Sequence, residues 1–265
     1  MSELSVLSSS ERQDLIVKHI QKEKRLTIDQ ICQKFQVSTA TARRDLETLV
    51  AKGLIQRFHG GAKSLSVAPP ELPALQREHE HQADKRSIGQ LAASLIEDGD
   101  TVFLGTGTTV LEVARQLHDR QRLTVISNSL LVLNELAKNS DITLIILGGL
   151  FRPTELSLVG HITEQALREV RASKAVLGVR GIDIDHGLSN EDLAETMTDR
   201  AVLNNSETVI LVADSSKCER VATAFLAPVT TIHTFVTDSK TPESFTNALV
   251  ALGIDVLRTP ETPSN

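Results

Sequence analysis

Hydrophobic positions along this 265-residue chain fall into two regimes. In the first, short segments repeat apolar residues at helical spacing. Leu15, Ile16, His19 and Ile20 share one side of Glu11 to Glu23, which predicts a helix. Thr27 to Phe35 predicts a second helix capped by Thr27, and the turn Gln36-Val37 leads into a third over Ser38 to Val50. Successive residues of a helix advance by about 100°. Ala42, Leu46, Leu49 and Val50 therefore fall on one side of the third helix, Ala40, Thr41, Arg44 and Thr48 face away, and Arg43 lies on the flank. Ser38 is placed to cap its first turn, and Lys52-Gly53 ends it. Leu54 to His59 then alternates as a short strand that stops at Gly60-Gly61.

The second regime starts at Asp84. Ile88, Leu91, Ala92, Leu95 and Ile96 predict an amphipathic helix ended at Asp98-Gly99. Apolar strands then alternate with helical patterns. Strands are predicted over 101–104, 123–126, 142–147, 175–178, 208–212, 234–237 and 255–257, and helices over 109–117, 130–138, 162–170, 191–204 and 244–252. This alternation predicts an α/β domain with a mostly parallel sheet, its strands covered on both faces. Between the regimes, Ser64 to Pro73 (SLSVAPPELP) holds prolines that disfavour helix, and the polar run Gln76 to Asp84 reads as a solvated connector. His79 and His81 lie two apart, diverge on a helix and have no further ligands nearby, so no metal site is expected. The expected organisation is a small domain over 8–63, a linker over 64–83 and an α/β domain over 84–258.

Helix, helix, tight turn, helix is the order of a helix-turn-helix, and the strand after it reads as a wing. Taken alone, the third helix is equally an amphipathic surface helix with solvated charges; its neighbours favour insertion into a DNA major groove. Ser38, Thr39, Ala40, Thr41, Arg43 and Arg44 are the candidate contacts, because Arg makes bidentate contacts to guanine or neutralises phosphate. Arg57 and His59 of the wing are candidates for the backbone or minor groove beside it.

Charge supports the division. Up to Lys63 there are 11 Lys and Arg against 7 Asp and Glu, a net of +4; the whole chain is −6, so residues 64–265 carry −10. A basic end on an acidic protein suits a chain of which only that end meets polyanionic DNA. Cys32 and Cys218 are too few and too separate for a disulfide framework or a zinc site. Trp and Tyr are absent, which disfavours base stacking on single strands. No signal peptide or membrane span is expected, which implies a cytoplasmic protein.

Ligands of parallel sheets bind beyond the carboxyl ends of the strands. The first such end is Gly105-Thr-Gly-Thr-Thr109, whose glycines turn the backbone tightly, whose amides open a helix and whose Thr106, Thr108 and Thr109 add hydroxyls. This is a phosphate cradle of backbone and dipole. It is neither a Walker loop nor GxGxxG, so nucleotide hydrolysis is disfavoured. Later strand ends supply Ser127-Asn128, Arg152 after Gly148-Gly149, Asp183 after Arg180-Gly181, and Asp214-Ser-Ser-Lys217. Each is also compatible with Asx turns and solvated tips. Together they suit a polyhydroxylated, phosphorylated molecule.

The run SxxTxRRDLxxL (Ser38 to Leu49) followed by GLIxRxHGGA (Gly53 to Ala62) closely resembles the winged helix-turn-helix of the DeoR family of bacterial transcriptional regulators. GDTVFLGTGTT, LTVISNSL, LIILGG, SLVG, GID, GLS and VADSSK, between Gly99 and Lys217, resemble that family's sensor domain, so the resemblance spans Glu11 to Asp238. It departs from the family pattern at Ala42, Gly105, Ser127 and Arg180. The resemblance implies a sensor fold similar to ribose-5-phosphate isomerase. It also implies a sugar-phosphate effector held by Gly105, Thr106, Gly107, Thr108, Thr109, Ser127, Asn128, Arg152, Asp183 and Lys217.

The expected protein is thus a repressor of a carbohydrate-catabolism operon that binds double-stranded operator DNA as a dimer or tetramer and is released by a phosphorylated sugar, with no cofactor. The rival is a sugar-phosphate isomerase or deaminase carrying a DNA-binding segment. Such an enzyme needs a carboxylate base beside the phosphate. GIDIDHG and SSKCER replace the acidic and Lys-Gly runs of those isomerases, and Asp183 is the one candidate base.

Overall fold

Side-chain caps start each helix of the N-terminal unit. Ser8 caps α1 (Ser9–Glu23) in a reciprocal box with Glu11. After β1 (Arg25–Thr27), Thr27 caps α2 (Ile28–Phe35) in the same way with Gln30, and Ser38 accepts from the Thr41 amide to begin α3 (Thr39–Ala51). α2 ends where Gln36 adopts a left-handed conformation (φ 51°) and returns its N–H to the Cys32 carbonyl, which makes the tight turn before α3. Ile16, Ile20, Ile31, Phe35, Ala42, Leu46 and Leu49 bury one another. The predicted strand is half of a hairpin. β2 (Ile55–Phe58) pairs with β3 (Gly61–Ser64), which also pairs with β1. Gly61 permits this second pairing, because a Cβ there would lie 2.2 Å from the Leu26 carbonyl oxygen.

The computed structural model describes residues 8–58, 60–64 and 68–260, and the chain divides into Met1–Ser66 and Val67–Asn265. His59, a candidate wing contact, lies outside the described residues.

The C-terminal unit begins with an irregular strap, α4 (Ala74–Arg77) and α5 (Gln82–Ala93). There follow β4 (Thr101–Leu104), α6 (Thr108–Arg115), β5 (Leu123–Ser127), α7 (Leu130–Leu136), β6 (Ile142–Ile146), β7 (Leu150–Arg152), β8 (Ser157–Val159) and α8 (His161–Arg168). β9 (Ala172–Leu177), β10 (Gly181–Asp183), β11 (Gly187–Asn190), α9 (Leu193–Asn204), β12 (Ser206–Val212), β13 (Ala224–Ala227), β14 (Thr234–Thr237), α10 (Glu243–Ala251) and β15 (Asp255–Arg258) complete it. Seven strands form one parallel sheet in the order β15-β14-β12-β9-β4-β5-β6. The pair β7-β8 and the three-stranded β10-β11-β13 are short antiparallel additions that periodicity alone did not predict.

Alternate strand residues enter two separate apolar layers. Phe103, Ala175, Leu177, Val209, Leu211 and Phe235 meet α8, α9 and α10 through Leu167, Val202, Phe245 and Leu249. Val102, Leu104, Val125, Val176, Ile210 and Val236 meet α5, α6 and α7 through Ile88, Val110 and Val132. The chain runs from β4 outward through β5 and β6, then returns to the other side of β4 with β9. The sheet order therefore reverses between β4 and β9, and a crevice opens beyond their carboxyl ends.

The stretch read as a linker is, from Ala68 on, part of this unit. The Ala68 amide donates to Val221 O at 2.9 Å and that of Ala74 to Thr154 O at 2.7 Å. Arg77 and Asp84 of the predicted solvated connector are buried, as is the adjoining Lys85. Prolines 69, 70 and 73 fix an extended path that docks, where a polar composition alone suggests solvent. Among the described residues, no helix is long and apolar enough to cross a membrane, and no group of His, Cys, Asp and Glu could hold a metal ion.

Candidate nucleic-acid interface and ligand cavity

On α3, Ser38, Thr39, Ala40, Arg43 and Arg44 are exposed and Thr41 is half-buried. Ser38 and Thr41 share a hydroxyl contact of 3.0 Å, which orders the helix start. Neither Arg43 nor Arg44 makes an ion pair among the described residues, so both are free to meet an outside anion. Arg57, on β2, is half-buried and lies 3.5 Å from Glu47.

The inner side of α3 holds one residue that apolar spacing did not single out. Asp45 is 2 % exposed, yet accepts from Arg12 Nε at 2.6 Å, Arg12 Nη2 at 3.2 Å and Gln13 Nε2 at 3.0 Å. Two charge-assisted bonds and an amide replace its water. They hold α1 against α3, so the exposed arginines project from an anchored helix.

In the second unit, the turn after β4, the loop after β9 and the loop after β12 converge on the sheet's reversal point. Together with the strap they line a cavity of about 330 Å³, within the range of small-molecule sites. Thr106, Gly107, Thr108 and Thr109 form one wall and Lys217 another. Gly107 is in the left-handed region (φ 97°) and no side chain caps α6, so the first amides of that helix are left for a ligand. Burial pushes the Lys217 ammonium down, with Asp214 opposing. Asp214 accepts from the Ser216 amide at 2.9 Å, and its carboxyl is held low by Ser216 and Lys217 despite burial.

Five of the sequence-predicted residues are elsewhere. Gly105 packs behind the turn, where a Cβ would lie 2.8 Å from Leu177 Cδ2. Ser127 is buried and donates to Leu104 O at 2.7 Å, binding two strands together. Asn128 is 1 % exposed and donates to Leu158 O at 2.9 Å, tying down the β7-β8 hairpin. Asp183 is buried at the β10-β11 turn and accepts from the amides of Asp185 and His186, each at 3.0 Å. It therefore shapes a turn, and the one candidate catalytic base is outside the cavity. Arg152 stands behind the cavity wall, bonded to Glu71 and 3.2 Å from Glu195.

The cavity also takes residues the strand-end pattern passed over. Glu71, Arg77, His81 and Lys85 arrive from the strap and the start of α5, Arg180 from the loop after β9, Glu155 from the β7-β8 connection, Asn190 from β11, and Glu195 and Asp199 from α9. Arg77 is ion-paired with Glu155, Thr106 donates to Glu195 at 2.6 Å, and Asn190 donates to Asp199 at 2.8 Å. Burial pushes the Glu155 carboxyl up to about 7, with Arg77 opposing, and raises those of Glu195 and Asp199 as well. Proline spacing in the strap was the available signal for these residues. Long-range pairs such as Arg77–Glu155 leave none.

Residues 80–239 match the DeoR C terminal sensor domain and residues 12–68 the DeoR-like helix-turn-helix domain. The chain belongs to the DeoR family of transcriptional regulators. It is 37% identical to the transcriptional repressor AccR of Agrobacterium fabrum, over 88% of this chain and 91% of that protein. It is 31% identical to the glycerol-3-phosphate regulon repressor of Escherichia coli, over 92% and 96%. Ribose 5-phosphate isomerase A of Methanocaldococcus jannaschii matches 52% of this chain and 55% of its own at 19% identity, with a TM-score of 0.40. As a DeoR-family member the chain is a DNA-binding regulator and not an enzyme; its partners are operator DNA and a small-molecule effector.

Proposed function

We propose that this DeoR-family protein represses a carbohydrate-catabolism operon and is released from its operator by a phosphorylated sugar. The observation that carries the reading is the uncapped start of α6, which opens with Lys217 onto a cavity rich in hydroxyl groups. Backbone amides and an ammonium bind a phosphoryl group, while Thr106, Thr108, Thr109 and Ser216 suit a polyhydroxylated body. A relative named for a glycerol-3-phosphate regulon supports an effector of this chemistry.

Ser38, Thr39, Ala40, Thr41, Arg43 and Arg44 enter the major groove, and Arg57 and His59 contact the backbone beside it. One short recognition helix gives limited specificity, so two or four copies bind repeated half-sites in the cytoplasm. Leu193, Met197 and Phe225 are exposed around α9 and β13, and Arg200 bridges Met197 and Phe225. This apolar area suits contact between copies. The effector favours an arrangement of the copies that no longer fits the half-site spacing, a coupling of about 1–3 kcal/mol.

A thermal-shift screen against phosphorylated sugars and their free counterparts tests the reading. A ligand at about 100 times its Kd stabilises the protein by about 2.7 kcal/mol. Stabilisation by a sugar phosphate and not by the free sugar is expected. Lys217→Ala and Thr108→Ala should keep DNA binding and lose that response; variants that respond like the wild type would reject the cavity as the effector site.

A further inference from the structure

Arg180 is a buried cavity residue whose bonding is incomplete. It follows β9 at the reversal of the sheet and is only 7 % exposed. Its Nη2 donates to Pro69 O at 2.9 Å, whereas its buried Nε has no hydrogen-bond partner among the described residues. The Nε faces Glu71 Oε1 at 3.7 Å, beyond hydrogen-bond reach, and the other Glu71 oxygen is taken by Arg152. A buried guanidinium donor left in this state is under-satisfied, and a planar carboxylate matches its fork.

Charge points the same way. Neither Lys85 nor Lys217 makes an ion pair among the described residues; Lys85 donates instead to the Arg77 carbonyl at 2.5 Å. With Arg180, three cations at the cavity lack a directly bonded carboxylate. A phosphomonoester supplies about 1.5 to 2 negative charges. Lys217 stands at the α6 turn to meet that charge, and Arg180 is the buried cation with a fork geometry and an open donor.

We infer that the effector is doubly acidic, a phosphorylated sugar acid whose phosphoryl group lies at Thr106–Thr109 with Lys217 and whose carboxylate takes the place of Glu71 on Arg180. This rests on the phosphoryl reading of the α6 turn proposed above. Glu71 then acts as a built-in competitor that leaves Arg180 when the ligand enters and keeps its bond to Arg152.

Calorimetric titration of the full chain tests this with four-, five- and six-carbon aldonic acid phosphates, each set against the aldose phosphate of equal length. At least one acid is expected to bind about tenfold or more tighter than its aldose partner. Arg180→Met should erase that preference while leaving the aldose phosphate affinity intact, and Glu71→Gln should widen it. If Arg180→Met fails to fold, Arg180→Lys, which keeps the charge without the fork, must narrow the preference. Absence of an acid preference in every pair, including absence of all binding, overturns the inference, as does a preference that survives both Arg180 variants. Aldose phosphates that bind through Lys217 with no acid preference would leave the phosphoryl reading standing alone. Free aldonic acids that bind as tightly as their phosphates, and lose affinity in Arg180→Met, would sink the phosphoryl reading and keep the carboxylate site.

Discussion

Arg43 and Arg44 stand exposed on α3 without ion pairs among the described residues, whereas in the second unit Arg77 and Arg180 are buried and Arg152 half-buried, each facing a carboxylate. On the proposed function, the contrast follows from the shape of the anion each set would meet. DNA is an extended polyanion that brings its own hydration and counterions, so the cations that read it wait in water, and their binding responds steeply to salt. A small molecule must be enclosed, so its cations are desolvated in advance and need carboxylates to hold them until it arrives. The first unit has its own exception. Arg12 is spent on Asp45, and through that pair the exposed arginines gain a fixed helix.

The largest effect should come from breaking that anchor. Asp45→Ala leaves Arg12 and Gln13 without their shared partner and should destabilise the N-terminal unit by about 3–5 kcal/mol. Thermal unfolding followed by circular dichroism checks this; an unchanged melt would mean that the buried pair contributes nothing to holding α3.

Next in size is the pH response of the buried set. Burial raises the Glu155 carboxyl from its usual 4.5 to about 7, so the folded protein favours its neutral form. The associated stability is full below about pH 4.5 and is lost as pH rises through 7, a swing of up to about 3 kcal/mol. Glu155→Gln should flatten the fall in melting temperature between pH 5 and 7.5. A variant whose melting profile still tracks the wild type would place the titration on another carboxyl.

On the exposed side, Arg44→Ala should weaken operator binding by about 1–3 kcal/mol and relax base preference at one position. Equal affinity in a fluorescence titration would reject the assigned recognition face. The smallest effect is expected of Arg43→Ala on the flank of α3. It should lower the slope of log K against log salt by about one, with little change in base preference. A slope that does not move would remove Arg43 from the phosphate contacts.

Much of this was legible in the sequence because it is local. Ser38 as a cap, Ala42, Leu46 and Leu49 as a buried side, and the alternation of strands and helices all follow from spacings of one to four residues. The position of the Thr106–Thr109 turn on the cavity was legible for the same reason, since a glycine-rich strand-to-helix turn is written in consecutive residues. Asp183 shows where such reading stops. A carboxylate after a strand has the same local signature whether it faces a ligand or folds back on the amides of Asp185 and His186. Ser127 and Asn128 were drawn inward by strand and hairpin contacts that no spacing records.

By itself, then, the sequence determined the main helices and the strands of the parallel sheet, the helix-turn-helix with its outward arginines and the glycine-rich turn before α6. Periodicity, capping and turn chemistry act over a few residues and are written directly in their order. Only the tertiary structure decided that the strap closes the cavity, that Glu71 meets Arg152 and Arg180 across roughly a hundred residues, and that Asp45 belongs to Arg12. Pairs so far apart form because the folded backbone brings them together and removes their water, and the choice among possible partners is made by that geometry.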